Sequence, residues 1–319
     1  MKLNRFAKYA WSALAFNIAV VLWGAVVRAT SSGAGCGSHW PLCNGTVLPN
    51  LELVATKVEF VHRITSGLTV PIILILLVWA FRKYPKGHVV RTGASLSMLF
   101  ILTEALVGAG LVLFKWVAGD TSTARVIMLG VHLINTFLLL ASLSLTAWWA
   151  STGGERLRLR GQGVVLWGLG LGFLGVLLLG ITGAITALGD TLFPSATLAE
   201  GVAQDFSPTA HFLIRLRVWH PIIAITVGFY LIFASGLLGM MREDRRIKRF
   251  SLALIILFVM QLAAGLINLV LLAPVWMQII HLLLADSLWI TLVLLAANTL
   301  AAPAAGEQVY EASTSKSYA

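Results

Sequence analysis

Seven histidines are spread over 319 residues, and four of them, His62, His132, His220 and His281, stand inside long apolar runs. An imidazole in hydrocarbon is costly unless it meets water at the headgroups or binds something. A single one reads best as an interfacial polar residue. Four at matched depth, two in each half of the chain, point instead to ligation. Neutral imidazole is the common nitrogen ligand of haem iron, and two imidazoles on facing helices can hold a haem inside a bundle. Small neighbours give a porphyrin room: Gly67 follows His62, Gly130 precedes His132, and Gly108 and Gly110 lie in the third apolar run. The alternatives are structural histidines or a non-haem metal. A zinc site wants further Cys, His or carboxylate ligands nearby, which only the first half offers. His88 reads as a solvated loop histidine, and His39 and His211 fall in or beside loops.

The two halves are not equivalent. Glu59 precedes His62 by three residues and shares its helical face, whereas Arg217 holds the corresponding place before His220. A carboxylate beside a redox cofactor can move protons or hold positive charge; the plainer reading is an acid favoured by a helix N-terminus. Glu104 and Asp286 lie deeper, as proton-relay candidates or as neutral hydrogen-bonded acids. Arg63, Arg215 and Arg217 are placed to pair with propionates of an outward-facing haem edge, or to snorkel to lipid phosphate. The only two cysteines, Cys36 and Cys43, lie in a glycine-rich loop that also carries His39 and Pro41. Its glycines do not complete a dinucleotide-binding pattern and no strand precedes them. Facing an oxidising compartment, the two thiols can close a small disulfide loop, as a redox pair or as a cap over the site; a metal site with His39 is the weaker alternative.

Elements of one kind must position these groups. With 58% hydrophobic residues, 11% charged and a mean hydropathy of +0.89, the chain is no water-soluble protein. Its net charge of +10 is scattered in short clusters, which argues against disorder and against nucleic-acid binding. Apolar runs long enough to cross a bilayer occur at 10–29, 58–81, 93–117, 126–150, 164–188, 213–240, 250–273 and 276–300. Sixteen of the 23 basic residues fall on one side, in 1–8, 82–91, 156–160, 242–249 and at Lys316. By the positive-inside rule that side and both termini are cytoplasmic, and the histidines lie near the outer face of a multi-pass plasma-membrane protein.

The basic start could be the first part of a cleaved signal peptide. An internal repeat argues for retention. Gly24 matches Gly183 at an offset of 159, His62 matches His220 at 158, Gly108 matches Gly265 at 157 and His132 matches His281 at 149. The expected fold is therefore all-α, eight transmembrane helices forming two tandem four-helix bundles related by a pseudo-two-fold axis along the membrane normal. The halves are 1–150 and 151–300. A small polar tail, 301–319, is expected to be disordered and cytoplasmic.

The loop from Gly35-Cys36 to Trp40-Pro41-Leu42-Cys43-Asn44-Gly45, the segment Glu59-Phe60-Val61-His62-Arg63 and the later histidines together resemble the haem A synthases of cytochrome oxidase assembly. The similarity runs from the first helix to the eighth. It implies an enzyme that oxidises the C8 methyl of haem O to a formyl group, giving haem A for terminal oxidases. It also implies a substrate haem in the first half, served by His62 and His132 with Glu59 as catalytic carboxylate, and a haem b in the second, held by His220 and His281. Cys36 and Cys43 would be the loop disulfide or redox pair. Implied partners are a haem O synthase, terminal-oxidase assembly factors, an electron donor or acceptor of unstated identity and the lipid bilayer, with a homo-oligomer left open.

Two departures stand out. Some members of that family have a second cysteine pair in the later outer loop, and 190–211 has none. The arginine after His62 is not repeated after His220, where Pro221 stands, so propionate contacts there would fall to Arg215 or Arg217. Methyl to aldehyde is a four-electron oxidation, most simply two hydroxylations to a geminal diol that loses water. The rival readings are a di-haem b-type electron-transfer cytochrome and a repeat-built transporter. The transporter would want Gly/Pro breaks at matching mid-membrane positions, and no such pair is evident.

Overall fold

In a computed structural model describing residues 3–301, ten helices and no strand follow one another among the described residues. They are α1 (Arg5–Ala29), α2 (Val54–Lys83), α3 (Val89–Leu113), α4 (Thr123–Thr152), α5 (Gly163–Leu192), α6 (Leu198–Asp205), α7 (Phe212–Arg217), α8 (Trp219–Met241), α9 (Arg245–Val270) and α10 (Val275–Ala301). Eight spans are long and apolar enough to cross a membrane, with α7 and α8 together making the sixth. Apart from Ala301, which closes α10, the expected polar tail lies outside the described residues.

The sixth span is broken at Val218 because Pro221 in the first turn of α8 has no N–H to give the carbonyl of Arg217. The connection before it holds α6, which begins at a reciprocal cap: Thr197 Oγ1 accepts from the amide of Glu200, and the Glu200 carboxylate accepts from the amide of Ala196.

Helices α3 and α9 stop earlier than their apolar runs. Both end in the same turn, at repeat-equivalent positions. The amides of Lys115 and Trp116 donate to the carbonyls of Val112 and Leu111, and those of Leu272 and Ala273 to the carbonyls of Leu269 and Asn268. Lys115 and Leu272 take the left-handed conformation, φ 60° and 59°. The turn closes each helix without glycine.

α1 packs on α2 and α4, α2 on α3, and α3 on α4. α5 packs on α7, α8 and α10, α8 on α9, and α9 on α10. α1 and α4 meet α5 and α10 between these groups, and α4 and α10 are the most buried spans. Without a hydrophobic gain from leaving lipid, such contacts rest on close packing and interhelical hydrogen bonds. Trp289 of α10 stacks on Phe137 of α4 at 4.8 Å and donates its indole N–H to that residue's carbonyl at 2.7 Å. Outward-facing side chains such as Val164, Phe229 and Met240 stay exposed, as a lipid-facing surface requires.

Candidate functional site

His62 is the ninth residue of α2, His132 the tenth of α4 and His281 the seventh of α10; His220 is the ninth of the span that starts at Phe212. His62 and His132 are about one turn deeper than the apolar runs indicate, because α2 and α4 begin earlier, whereas His220 and His281 stand within a residue of the expected depth. Three of the imidazoles stand with their Cε1 edge against a glycine of the neighbouring helix. A Cβ on Gly24 of α1 would stand 3.0 Å from His62, one on Gly183 of α5 would stand 3.1 Å from His220, and one on Gly265 of α9 would stand 3.2 Å from His281. Gly108, the equivalent of Gly265, has nothing within that reach, and neither has Gly67.

The rings of His220 and His281 face each other with centroids 6.4 Å apart and planes at 84°. Two imidazole–metal bonds of about 2 Å on opposite sides of one ion separate ring centres by about 6 Å. Nδ1 of His62, of His132 and of His281 is buried without a hydrogen-bonding partner. His62 and His132 are near enough to feel each other's charge. Among the described residues no three His, Cys, Asp or Glu side chains converge as a self-contained metal site. The paired imidazoles thus fit a group that brings most of its own ligands, which haem does.

The side chains around the two pairs differ. In the second half Thr182 Oγ1 lies 3.1 Å from Nδ1 of His220, and the amide nitrogen of Gln261 lies 3.3 Å from Nε2 of His281. In the first half the place of Gln261 is taken by Glu104, whose Oε1 lies 3.2 Å from Nδ1 of His132. That approach is off the axis of a good hydrogen bond and is best described as an electrostatic contact. Asn135 donates to the other oxygen of Glu104 at 2.6 Å, and Thr136 donates to the first. Asp286 is fully buried, with neither oxygen hydrogen-bonded.

Cys36 and Cys43 form a disulfide, so a metal site built from them with His39 does not exist. The loop they close is fastened to α2. Gly35 lies against the backbone of Ala55, 2.4 Å from where its Cβ would be, a contact only glycine allows. Thr56 donates to the carbonyl of Gly35 at 2.8 Å, and the amide of Cys36 donates to Glu59 Oε2 at 2.7 Å. Arg63 holds the other oxygen of Glu59 at 2.6 Å and donates to the carbonyls of Gly37, His39 and Leu42. Both oxygens of Glu59 are therefore engaged with the loop and with Arg63, and the residue is 3% exposed.

Of the three arginines assigned to propionates, Arg63 is committed to this clamp. Arg217 is committed to Asp190 at 3.0 Å and Asp205 at 2.9 Å, while Arg215 is exposed. Burial pushes the Asp205 carboxyl above its ordinary range, against the pull of Arg217. Arg28 spans the halves: it donates to the carbonyl of Ala187 at 2.7 Å, to Thr191 at 3.2 Å and to Gln278 at 2.9 Å. His88 is not a free loop histidine but the N-cap of α3, accepting from the amide of Val90 and stacked on Tyr84. His211 caps α7 in the same way.

Thr182, Asn135, Thr136 and Gln261 carry no mark of residue type. Only Gln261 had a signal, since the repeat offset of 157 aligns it with Glu104.

Fold and site together define an eight-span helical membrane protein with four intramembrane histidines, two of which, His220 and His281, face each other, and a disulfide-closed loop fastened to the start of α2. Residues 7–293 match the cytochrome oxidase assembly protein family, and the chain belongs to it. A Thermus thermophilus protein named Protoheme IX farnesyltransferase is 53% identical over 297 residues, covering 93% of this chain and 49% of that protein. Proteins named Heme A synthase from Halalkalibacterium halodurans and Lysinibacillus sphaericus are 38% and 39% identical over 129 and 138 residues, covering 40% and 42% of this chain and 42% and 43% of those proteins. The chain spans about half the length, or less, of these curated relatives.

Proposed function

We propose that this protein oxidises the C8 methyl of haem O to a formyl group, making haem A for terminal oxidases. The observation that carries the reading is the asymmetry of the repeated histidines: only His132 has a carboxylate, Glu104, at 3.2 Å, and only α2, which carries His62, has a disulfide loop fastened to it. Two equivalent electron-transfer sites would not need that difference. The names of the Halalkalibacterium and Lysinibacillus relatives agree with it.

In this reading His62 and His132 bind the substrate haem, and His220 and His281 bind a haem b, in two four-helix halves related by the repeat. The haem b supplies one-electron redox chemistry when bound. The protein's own residues do the rest. Gly24 lets His62 stand against α1 and fixes its ring. Glu59 and Arg63 hold the loop over the end of α2. Glu59 is the catalytic carboxylate, able to take a proton or to stabilise positive charge once substrate frees one of its oxygens. The cytoplasmic placement of both termini, with the histidines near the outer face of the plasma membrane, follows from the charge distribution.

The farnesyltransferase name of the Thermus relative favours a second reading, prenyl transfer to haem. Holding a prenyl diphosphate takes magnesium bound by clustered carboxylates, and the described residues bring no such cluster together. A farnesyltransferase acting on protohaem produces haem O, so a haem O synthase is the expected partner that delivers substrate.

The test is haem extraction and mass analysis of this protein, purified after co-expression with a haem O synthase in a host lacking haem A. Haem A or its hydroxymethyl precursor, found with haem B, supports the proposal. Haem B alone at full occupancy supports the electron-transfer cytochrome.

A further inference from the structure

Resting on the reading that His62 and His132 hold the substrate haem, we infer that Glu104 is the positioning residue of that site. It fixes the ring of His132 and makes the iron bound there electronically different from the iron of the other pair. The carboxylate lies 3.2 Å from Nδ1 of His132, which leaves the opposite ring nitrogen for the iron. It is held there from two sides. Asn135 donates to Oε2 at 2.6 Å and Thr136 to Oε1, while Asn135 is itself fixed by the hydroxyl of Thr103 at 2.6 Å and the carbonyl of Phe100 at 2.9 Å.

None of this is repeated in the second half. The offsets that align the repeats place Met260, Gln261, Leu284 and Ala285 where the first half has Thr103, Glu104, Asn135 and Thr136. A neutral amide stands beside Nε2 of His281, whereas a carboxylate stands beside Nδ1 of His132. The amide is not braced in the same way, and its oxygen is buried without a partner.

Groups next to a metal-bound imidazole set its orientation and its basicity. A carboxylate makes the imidazole a stronger donor and favours the oxidised, more positive iron, so the reduction potential falls; an amide does neither to the same degree. The braced network of Glu104 therefore gives one fold two haem sites of different potential, with the more electron-rich iron where the methyl is to be oxidised.

The experiment is an optical redox titration with low-temperature electron paramagnetic resonance on the purified holoprotein, comparing it with Glu104→Gln and Gln261→Glu. The first variant writes the second half's residue into the first, and the other does the reverse. Glu104→Gln is expected to keep both haems, raise the midpoint of one and shift its low-spin resonance, leaving the other unchanged. Gln261→Glu is expected to lower the other midpoint. Two unchanged midpoints and spectra in Glu104→Gln, with both haems retained, overturn the inference. Should that variant lose its haem, Thr136→Val, which removes one brace and leaves the carboxylate, decides: a shift in the same haem supports the inference and none overturns it. If the unmodified protein binds a single haem that survives His132→Ala and is lost in His220→Ala, the two-site reading fails and takes the inference with it. Haem content, not potential, reports that outcome.

Discussion

Glu59 and Arg63, one turn apart on α2, form a buried ion pair at 2.6 Å whose remaining donors and acceptor all go to the cysteine loop. The pair is thus the floor on which the loop rests. Breaking a buried pair by removing one partner costs about 3–5 kcal/mol, since the other charge stays buried and unpaired. Arg63→Ala should lower the melting temperature in detergent and open the 30–53 connection to protease. Arg63→Lys should recover little, because a single ammonium cannot reach Glu59 and three carbonyls together. An Arg63→Ala protein with unchanged melting and proteolysis would mean that the clamp contributes nothing.

The disulfide offers a way to separate a structural loop from a redox pair. Closing a loop this short is worth roughly 2–3 kcal/mol by chain entropy, so Cys36→Ala with Cys43→Ala should destabilise the protein by that order. The amide of Cys36 can still reach Glu59 if the loop keeps its seat on Gly35 and Thr56. The expected result is reduced but measurable haem O oxidation. Complete loss of oxidation with both haems bound and stability intact would assign the thiols a redox role instead.

How much of this could be read from the residues depends on what kind of contact carries it. The eight spans and the histidine pairs follow from apolar length and from four identical residue types at repeated depth. The early ends of α3 and α9 do not, because Lys115 and Leu272 close them in the left-handed conformation without the glycine that would announce it. The assignment of Arg63 to a propionate met a different difficulty. Its acceptors are loop carbonyls, which every residue has, so no side-chain pattern marks them. Glu104 lies between these cases: its depth singled it out, and its partner became evident only once α3 and α4 were packed together.

Arg28, at the end of α1, ties that helix to α5 and α10. Its three acceptors lie on α5 and α10, and Asp190 adds a favourable charge. A hydrogen bond from a charged group is worth about 1.5–3 kcal/mol. Arg28→Met keeps most of the length of the side chain and removes the donors, and should cost at least that much in a chemical or thermal melt. Trp289→Phe removes one neutral bond to Phe137 from the same junction and should cost about 1 kcal/mol. Equal effects from the two substitutions would contradict this ranking.

The glycines beneath the imidazoles give the sharpest test of separate sites. A methyl on Gly24 would stand 3.0 Å from His62 and one on Gly183 would stand 3.1 Å from His220, tight enough that each ring must give by a few tenths of an ångström. Overpacking of that kind typically costs about 1–3 kcal/mol, and here the relief is rotation of a ligand. Gly24→Ala should therefore disturb the spectrum of one haem and Gly183→Ala that of the other, each leaving its counterpart unchanged. Gly236→Ala is the internal control, because its methyl would meet nothing within 4 Å and it lies about four turns along α8 from His220, and it should leave both spectra as they are. Spectra that change together in either of the first two variants would show that the imidazoles share one site, and the two-pair arrangement would have to be given up.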